Sequence, residues 1–213
     1  MNIYEQKREL FKNWSLELEA SAYGSPWMAA LAFMHEAGYF EAPASTRFHL
    51  STKGGLLIHS VCVCELALRL LSDQMGLPMT CPRTYVLSAA LLHDIGKCGL
   101  VTPEAGHMPR YVPNPKYNPR LVSKWNGAYE YRESDPVFNV RDLSPLLVAR
   151  WGFPWEVIQA VMIHDGAYVE ANKDYMGKNG PLAALIMAAD TLHAQQFETT
   201  EGIVPLLECP IKV

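Results

Sequence analysis

The chain has 213 residues, 49% of them apolar and 19% charged, with a formal net charge of -4. That length fits one compact domain with a sizeable core, and the mild negative charge excludes a general attraction to nucleic acid or to an anionic membrane. MNIYEQKREL lacks an apolar signal core and no segment approaches the length of a membrane span, so a cytoplasmic protein with no membrane partner is expected.

Residues 2–20 carry Ile3, Leu10, Phe11, Trp14, Leu16 and Leu18 at helical spacing and predict an amphipathic helix. A second helix is expected from Ser25-Pro26, a cap followed by proline at the first helical position, to a stop at Gly38. Residues 39–49 read as irregular. Gly54-Gly55 then precede an apolar helix over 56–71. Cys62 and Cys64, two of five cysteines, should point to different sides of it, which suits neither a shared metal nor a disulfide.

The next helix spans about 83–93 and is followed by Asp94-Ile95-Gly96-Lys97, where Gly96 should break or turn the chain. Residues 99–136 change character: six prolines alternate with Tyr111, Tyr117, Trp125, Tyr129 and Tyr131, and no helical period survives. This stretch reads as a long loop or β-hairpin arm inserted in a single domain, 1–213, either a functional lid or a surface decoration. Helical patterning returns at 141–150, 154–164 and 181–197, the last with Pro181 at its start. Residues 198–213 read as an extended tail.

Five polar groups stand out against this apolar background. Val86-Leu87-Ser88-Ala89-Ala90-Leu91-Leu92 leads straight into His93-Asp94. Ala183-Ala184-Leu185-Ile186-Met187-Ala188-Ala189 leads into Asp190. His59 follows Gly54-Gly55-Leu56-Leu57-Ile58, and His164 follows Val161-Met162-Ile163. Ionisable groups so placed need compensation, and a divalent cation supplies it by taking imidazole nitrogens and carboxylate oxygens as ligands. Singly, each has another explanation: a hydrogen-bonded core histidine, a cap for Asp94, a buried basic partner for Asp190.

In this order, His59, then His93-Asp94-Ile95-Gly96-Lys97, then Asp190 resembles the H…HD…D pattern of the HD phosphohydrolase superfamily. Residues 42–49 followed by Lys53-Gly54-Gly55-Leu56-Leu57-Ile58-His59-Ser60 are similar to a narrower group: small HD hydrolases of bacteria and phages, YhaM-type exoribonucleases and HD domains of some conjugative relaxases. The resemblance covers roughly residues 25–195. It implies an all-α fold, an HD-domain helical bundle, with a divalent metal (Mn, Fe, Co, Ni, Zn or Mg) held by His59, His93, Asp94 and Asp190.

Many small HD hydrolases hold a second metal with two further histidines. His164 matches the later one, whereas Asn139 stands where the earlier is expected, and an amide oxygen is a poor substitute for imidazole. One metal is therefore expected, with His164 left for acid–base or phosphate work.

The function so implied is hydrolysis of a phosphate ester of a nucleotide or other small phosphorylated molecule. Asp94 would orient water as well as bind metal. Lys97 would neutralise phosphate charge, or is an ordinary solvated lysine. His49 and Lys53 are candidate phosphate contacts, His49 also a candidate proton donor. Trp125 and Tyr129 would stack on a base or form the core of a small hairpin. His35, His107 and His193 read as structural or surface residues, with His193, three residues after Asp190, kept as a spare ligand. Two other functions stay open: a nuclease for single-stranded nucleic acid, which the net charge disfavours, and a non-catalytic nucleotide-binding HD module.

Overall fold

The computed structural model describes residues 2–72, 81–102, 106–118, 127–132, 140–166, 169–175 and 177–198. Their order is α1 (Ile3–Glu19), α2 (Gly24–Glu36), α3 (Gly55–Ser72), α4 (Arg83–Leu92), β1 (Leu100–Thr102), β2 (Gly106–Met108), β3 (Tyr111–Pro113), β4 (Tyr129–Tyr131), α5 (Val140–Trp151), α6 (Trp155–Ile163) and α7 (Pro181–Gln196). The fold is the expected all-α bundle with a small β arm. Trp125, Asn139 and the tail beyond Glu198, with Cys209, lie outside the described residues.

The apolar stripe of α1 is narrower than its sequence suggests. Phe11, Trp14 and Leu18 are buried, whereas Ile3 and Leu16 are exposed. The helix begins with a capping box: Asn2 Oδ1 accepts from Glu5 N at 2.9 Å and Glu5 Oε2 accepts from Asn2 N at 3.1 Å. The expected cap at Ser25 is not formed. Helix α2 already begins at Gly24, with Tyr23 as its cap residue and no side-chain cap bond. Proline at position 26 is tolerated there because the first-turn N–H groups have no intrahelical acceptor.

Helix α3 is the centre of the bundle, packed against α1, α4 and α7. It is apolar nearly all round, as a helix buried on every face must be. Leu56, Leu57, Val61, Val63, Cys64, Leu66 and Ala67 join the main core, while Ile58 and Cys62 join Ala44 and Leu50 on another side. Cys62 and Cys64 thus diverge as expected, and both are free thiols. Contrary to the sequence expectation, α3 is long and apolar enough to cross a membrane, but 67% of it is buried inside the bundle. Its apolar surface is accounted for by packing.

The 37–54 segment lies directly on the start of α3. A Cβ at Gly55 would stand 2.0 Å from the Leu50 carbonyl oxygen, so only glycine permits this approach. After α4 the chain passes through Gly96 in a 3₁₀ turn, Ile95–Cys98, where that residue donates from its N–H to Ser144 Oγ at 2.9 Å. The chain then turns at Gly99, where φ is 89° and a Cβ would meet the Met108 carbonyl oxygen at 2.0 Å.

Beyond Gly99 the arm forms two antiparallel pairs. Leu100 faces Met108 in β1–β2, and Tyr111 faces Tyr131 in β3–β4. Tyr129 N–H donates to Thr46 O at 3.2 Å, which ties the arm to the 37–54 segment.

Candidate metal centre

Four elements bring the polar groups together. His59 projects from the first turns of α3, His93 caps the C-terminus of α4, His164 caps the C-terminus of α6, and Asp190 sits two-thirds along α7. All three histidines are buried.

The hydrogen bonds of the imidazoles decide what they offer. His93 Nδ1–H donates to Ala90 O at 2.7 Å, His164 Nδ1–H to Val161 O at 2.7 Å, and His59 Nδ1–H to Glu198 Oε1 at 2.7 Å. Each bond fixes a proton on Nδ1, so Nε2 is the nitrogen turned toward the other groups and the one that a cation would take. His59 Nε2 and His93 Nε2 face each other at 3.0 Å. Asp94 Oδ2 lies 3.4 and 3.3 Å from these two atoms, and Asp190 Oδ1 lies 3.2 and 3.8 Å from them.

At such a distance two Nε2 lone pairs repel unless a proton or a cation stands between them, and a cation at that place satisfies both. Donor atoms about 2.1 Å from one cation lie about 3.0 Å apart as octahedral neighbours and about 3.4 Å apart on a tetrahedron. Four of the five separations fall in that range, and His93 Nε2 to Asp190 Oδ1, at 3.8 Å, lies beyond it. The residues present fit a divalent cation in both chemistry and spacing.

His164 is set slightly aside. Its Nε2 lies 3.6 Å from the other carboxylate oxygen of Asp94 and 3.7 Å from Asp165. Together with His93 and Asp190 it forms a further cluster of ligand spacing. Lys97, one 3₁₀ turn beyond Asp94, forms an ion pair with Asp94 Oδ2.

Electrostatics follow from this crowding. Burial opposes ionisation of Asp94, but Lys97, His93, His164 and His59 hold its carboxyl well below the usual range. Asp190, also desolvated, is brought down to about 2 by its bond to His59 and by the three imidazoles. Burial disfavours the charged form of His164, yet its bond to Asp94 and the surrounding carboxylates push it up to about 9. Lys97 is desolvated as well, and Asp94 holds its ammonium charged far up the scale.

These groups open onto a cavity of about 740 Å³, lined among others by Phe48, His49, Lys97, Asp165 and Gln195. His49 is aimed there by a tight turn. Ser45 Oγ accepts from Phe48 N and His49 N at 2.9 and 3.1 Å and donates to His49 O at 2.8 Å. Lys53 is exposed and lies outside the cavity wall. Tyr129 lines a neighbouring cleft of about 300 Å³ with His107, Arg110 and Tyr111, and Lys97 borders both spaces.

One member of the site was not anticipated. Glu198, assigned from sequence to the tail, has a fully buried side chain. It accepts from His59, His49 and also His193, whose Nδ1 lies 2.8 Å from Oε1. His193 is thus buried and engaged with Glu198. Gln195-Gln196-Phe197-Glu198-Thr199-Thr200 offers no apolar run to mark the glutamate, and the only hint is its position just beyond a histidine-bearing helix.

No family model matches the chain, and no solved structure matches it. Among curated proteins, it is 32% identical over 132 residues to a dihydroneopterin 2',3'-cyclic phosphate phosphodiesterase of Methanocaldococcus jannaschii. The match covers 59% of this chain and 43% of that protein, so the chain spans less than half the length of this relative.

Proposed function

We propose that this protein is a metal-dependent phosphohydrolase of the HD type that cleaves a phosphate ester of a small, nucleotide-like molecule. On this reading His59, His93, Asp94 and Asp190 hold a single divalent cation, and residues 99–136 are an arm inserted in one domain. The observation that carries it is the convergence of inward-facing Nε2 atoms and two ionised carboxylates at ligand spacing, on the wall of a cavity large enough for such a substrate. The cation, when bound, would supply water activation and offset charge on the phosphoryl oxygens.

The chain's own residues do the rest. Lys97 stays charged and faces the cavity beside Asp94, where it offsets phosphoryl charge. His164, protonated at neutral pH by its carboxylate neighbours, is placed to give a proton to the leaving oxygen. His49 presents a ring to the same space from the 37–54 segment. The cleft beyond Lys97, with Tyr111, Tyr129 and Arg110, would take the aromatic end of the substrate.

The relative's name points to cyclic phosphodiesters as the first substrates to try. The test is turnover of 2',3'-cyclic nucleotides, nucleoside mono-, di- and triphosphates and short single-stranded RNA, each with Mn, Fe, Co, Ni, Zn or Mg. Metal-dependent release from a cyclic or monoester substrate, abolished by Asp94→Ala, is the expected result. Preference for RNA with strong salt dependence would make it a nuclease. Tight nucleotide binding with no turnover under any metal would make it a binding module.

A further inference from the structure

We infer that Glu198 is a positioning residue for the metal centre, fixing which nitrogen of His59 is offered to the cation and locking His49 and His193 around it. The inference rests on the reading of His59 as a metal ligand.

The geometry is unusual for a glutamate just past a helix end. Its carboxylate is fully buried and its two oxygens serve three imidazoles from three parts of the chain. Oε1 accepts from Nδ1–H of His59 on α3, at 2.7 Å, and from Nδ1–H of His193 on α7, at 2.8 Å. Oε2 accepts from Nδ1–H of His49 on the 37–54 segment.

His59 differs from His93 and His164 in one respect. Those two satisfy Nδ1 with a carbonyl three residues back on their own helix. His59 instead takes a carboxylate 139 residues away in sequence. Near the start of α3 it lies where carbonyls three and four residues back are those of Leu56 and Gly55, already inside the helix. Glu198 supplies the acceptor that the main chain supplies elsewhere. A carboxylate behind a ligand imidazole fixes the tautomer and raises the basicity of the other nitrogen.

The bonding pattern makes substitutions separable. In Glu198→Gln the amide oxygen can still accept from His59 and His193, while its NH₂ faces His49 and obliges that ring to carry its proton on Nε2. Glu198→Met fills a similar volume and accepts from none of them. A residue needed only for packing would tolerate methionine as well as glutamine.

The experiment uses the full chain, with Mn²⁺ binding followed by calorimetry and histidine tautomers by nitrogen NMR. E198Q is expected to bind Mn²⁺ within about threefold of wild type, and E198M to bind it roughly 10–100-fold more weakly. His59 should carry its proton on Nδ1 in wild type and E198Q, and as a mixture of tautomers in E198M. If E198M fails to fold, E198A, which leaves room rather than strain, replaces it.

Equal Mn²⁺ affinity of E198M and wild type overturns the inference. If wild type itself takes up no Mn²⁺, the metal reading has failed, and the tautomers still decide the role of Glu198. An unchanged His59 tautomer in E198M then overturns it, and a mixed one supports it.

Discussion

Helix α4 ends in Leu91-Leu92-His93-Asp94 and helix α6 in Met162-Ile163-His164-Asp165. In both, the histidine closes the helix in the αR conformation with its Nδ1–H donating 2.7 Å to the carbonyl three residues before. The helices pack on each other and the two rings meet edge to face at 4.9 Å. The residues around them part company. Asp94 is buried among three imidazoles and Lys97, while the Asp165 side chain is 40% exposed at the cavity wall. Leu91 is fully buried, and its counterpart Met162 is 39% exposed. The same local device becomes a buried polar pair where the bundle closes over it and a rim where it does not.

The largest effect should come from the buried member. Asp94→Ala removes a charge shared by Lys97 and all three imidazoles. It is expected to lower kcat/KM by about 10³-fold or more and to prevent Mn²⁺ uptake. Calorimetry on the same sample separates the two losses from simple unfolding. If the variant binds Mn²⁺ as wild type does, the cation sits elsewhere.

The positions two residues earlier sharpen the same contrast on stability alone. Leu91→Ala opens a cavity in the main core and is expected to cost about 2–5 kcal/mol by denaturant unfolding. Met162→Ala, on the exposed side of α6, is expected to stay within about 0.5 kcal/mol. Equal losses at both would mean that α6 is covered by something that the described residues do not include.

This contrast also marks how far the sequence could be read. The helices were legible because their apolar residues recur at helical spacing, and the polar groups that converge because each ends or interrupts an apolar run, as at Leu92-His93 and Ala189-Asp190. Local signals misled where packing overrode them. Ser25-Pro26 looks like a cap and first helical residue, but the helix begins two residues earlier, at Gly24 after Tyr23. Gly96 looks like the break, yet it is Gly99 that takes the positive φ. The arm's three-residue strands are too short for any period to show. Glu198 was hidden because two of its three partners, His49 and His59, are distant in sequence and leave no pattern around residue 198.

Turning to the second helix end, His164 has the proton that the reaction would need. Its pKa is pushed up to about 9 by Asp94 above all, against the pull of burial. In the metal-free site the acid form is therefore present at neutral pH and lost as pH rises through about 9; a cation on Asp94 weakens that support, so wild-type kcat should fall along an alkaline limb below that value. His164→Ala is expected to cost about 10²-fold in kcat, to keep Mn²⁺ binding, and to flatten that limb. If instead the variant loses the metal, His164 belongs among the ligands.

Metal uptake carries a pH dependence of its own. Burial weighs against charge on His59, but Glu198, Asp190 and Asp94 raise its pKa well above the ordinary value. A cation must displace that proton to reach Nε2. Apparent Mn²⁺ affinity should thus climb with pH through the neutral range, by about tenfold per unit for one proton displaced. A flat profile would mean that His59 is already neutral, with Glu198 acting through a hydrogen bond alone.

The smallest effect should fall on the exposed partner of the pair, and it is the most discriminating. Asp165 stands 3.7 Å from His164 Nε2 and reaches solvent. Its charge is therefore screened, and an exposed ion pair contributes roughly 0.2–1 kcal/mol. Asp165→Asn should lower kcat by no more than about fivefold and leave Mn²⁺ affinity within about threefold. A loss as deep as that of Asp94→Ala would mean that the two helix ends are equivalent after all, both closed over cations. The asymmetry in burial that separates them here would then be filled in by substrate or by a second ion.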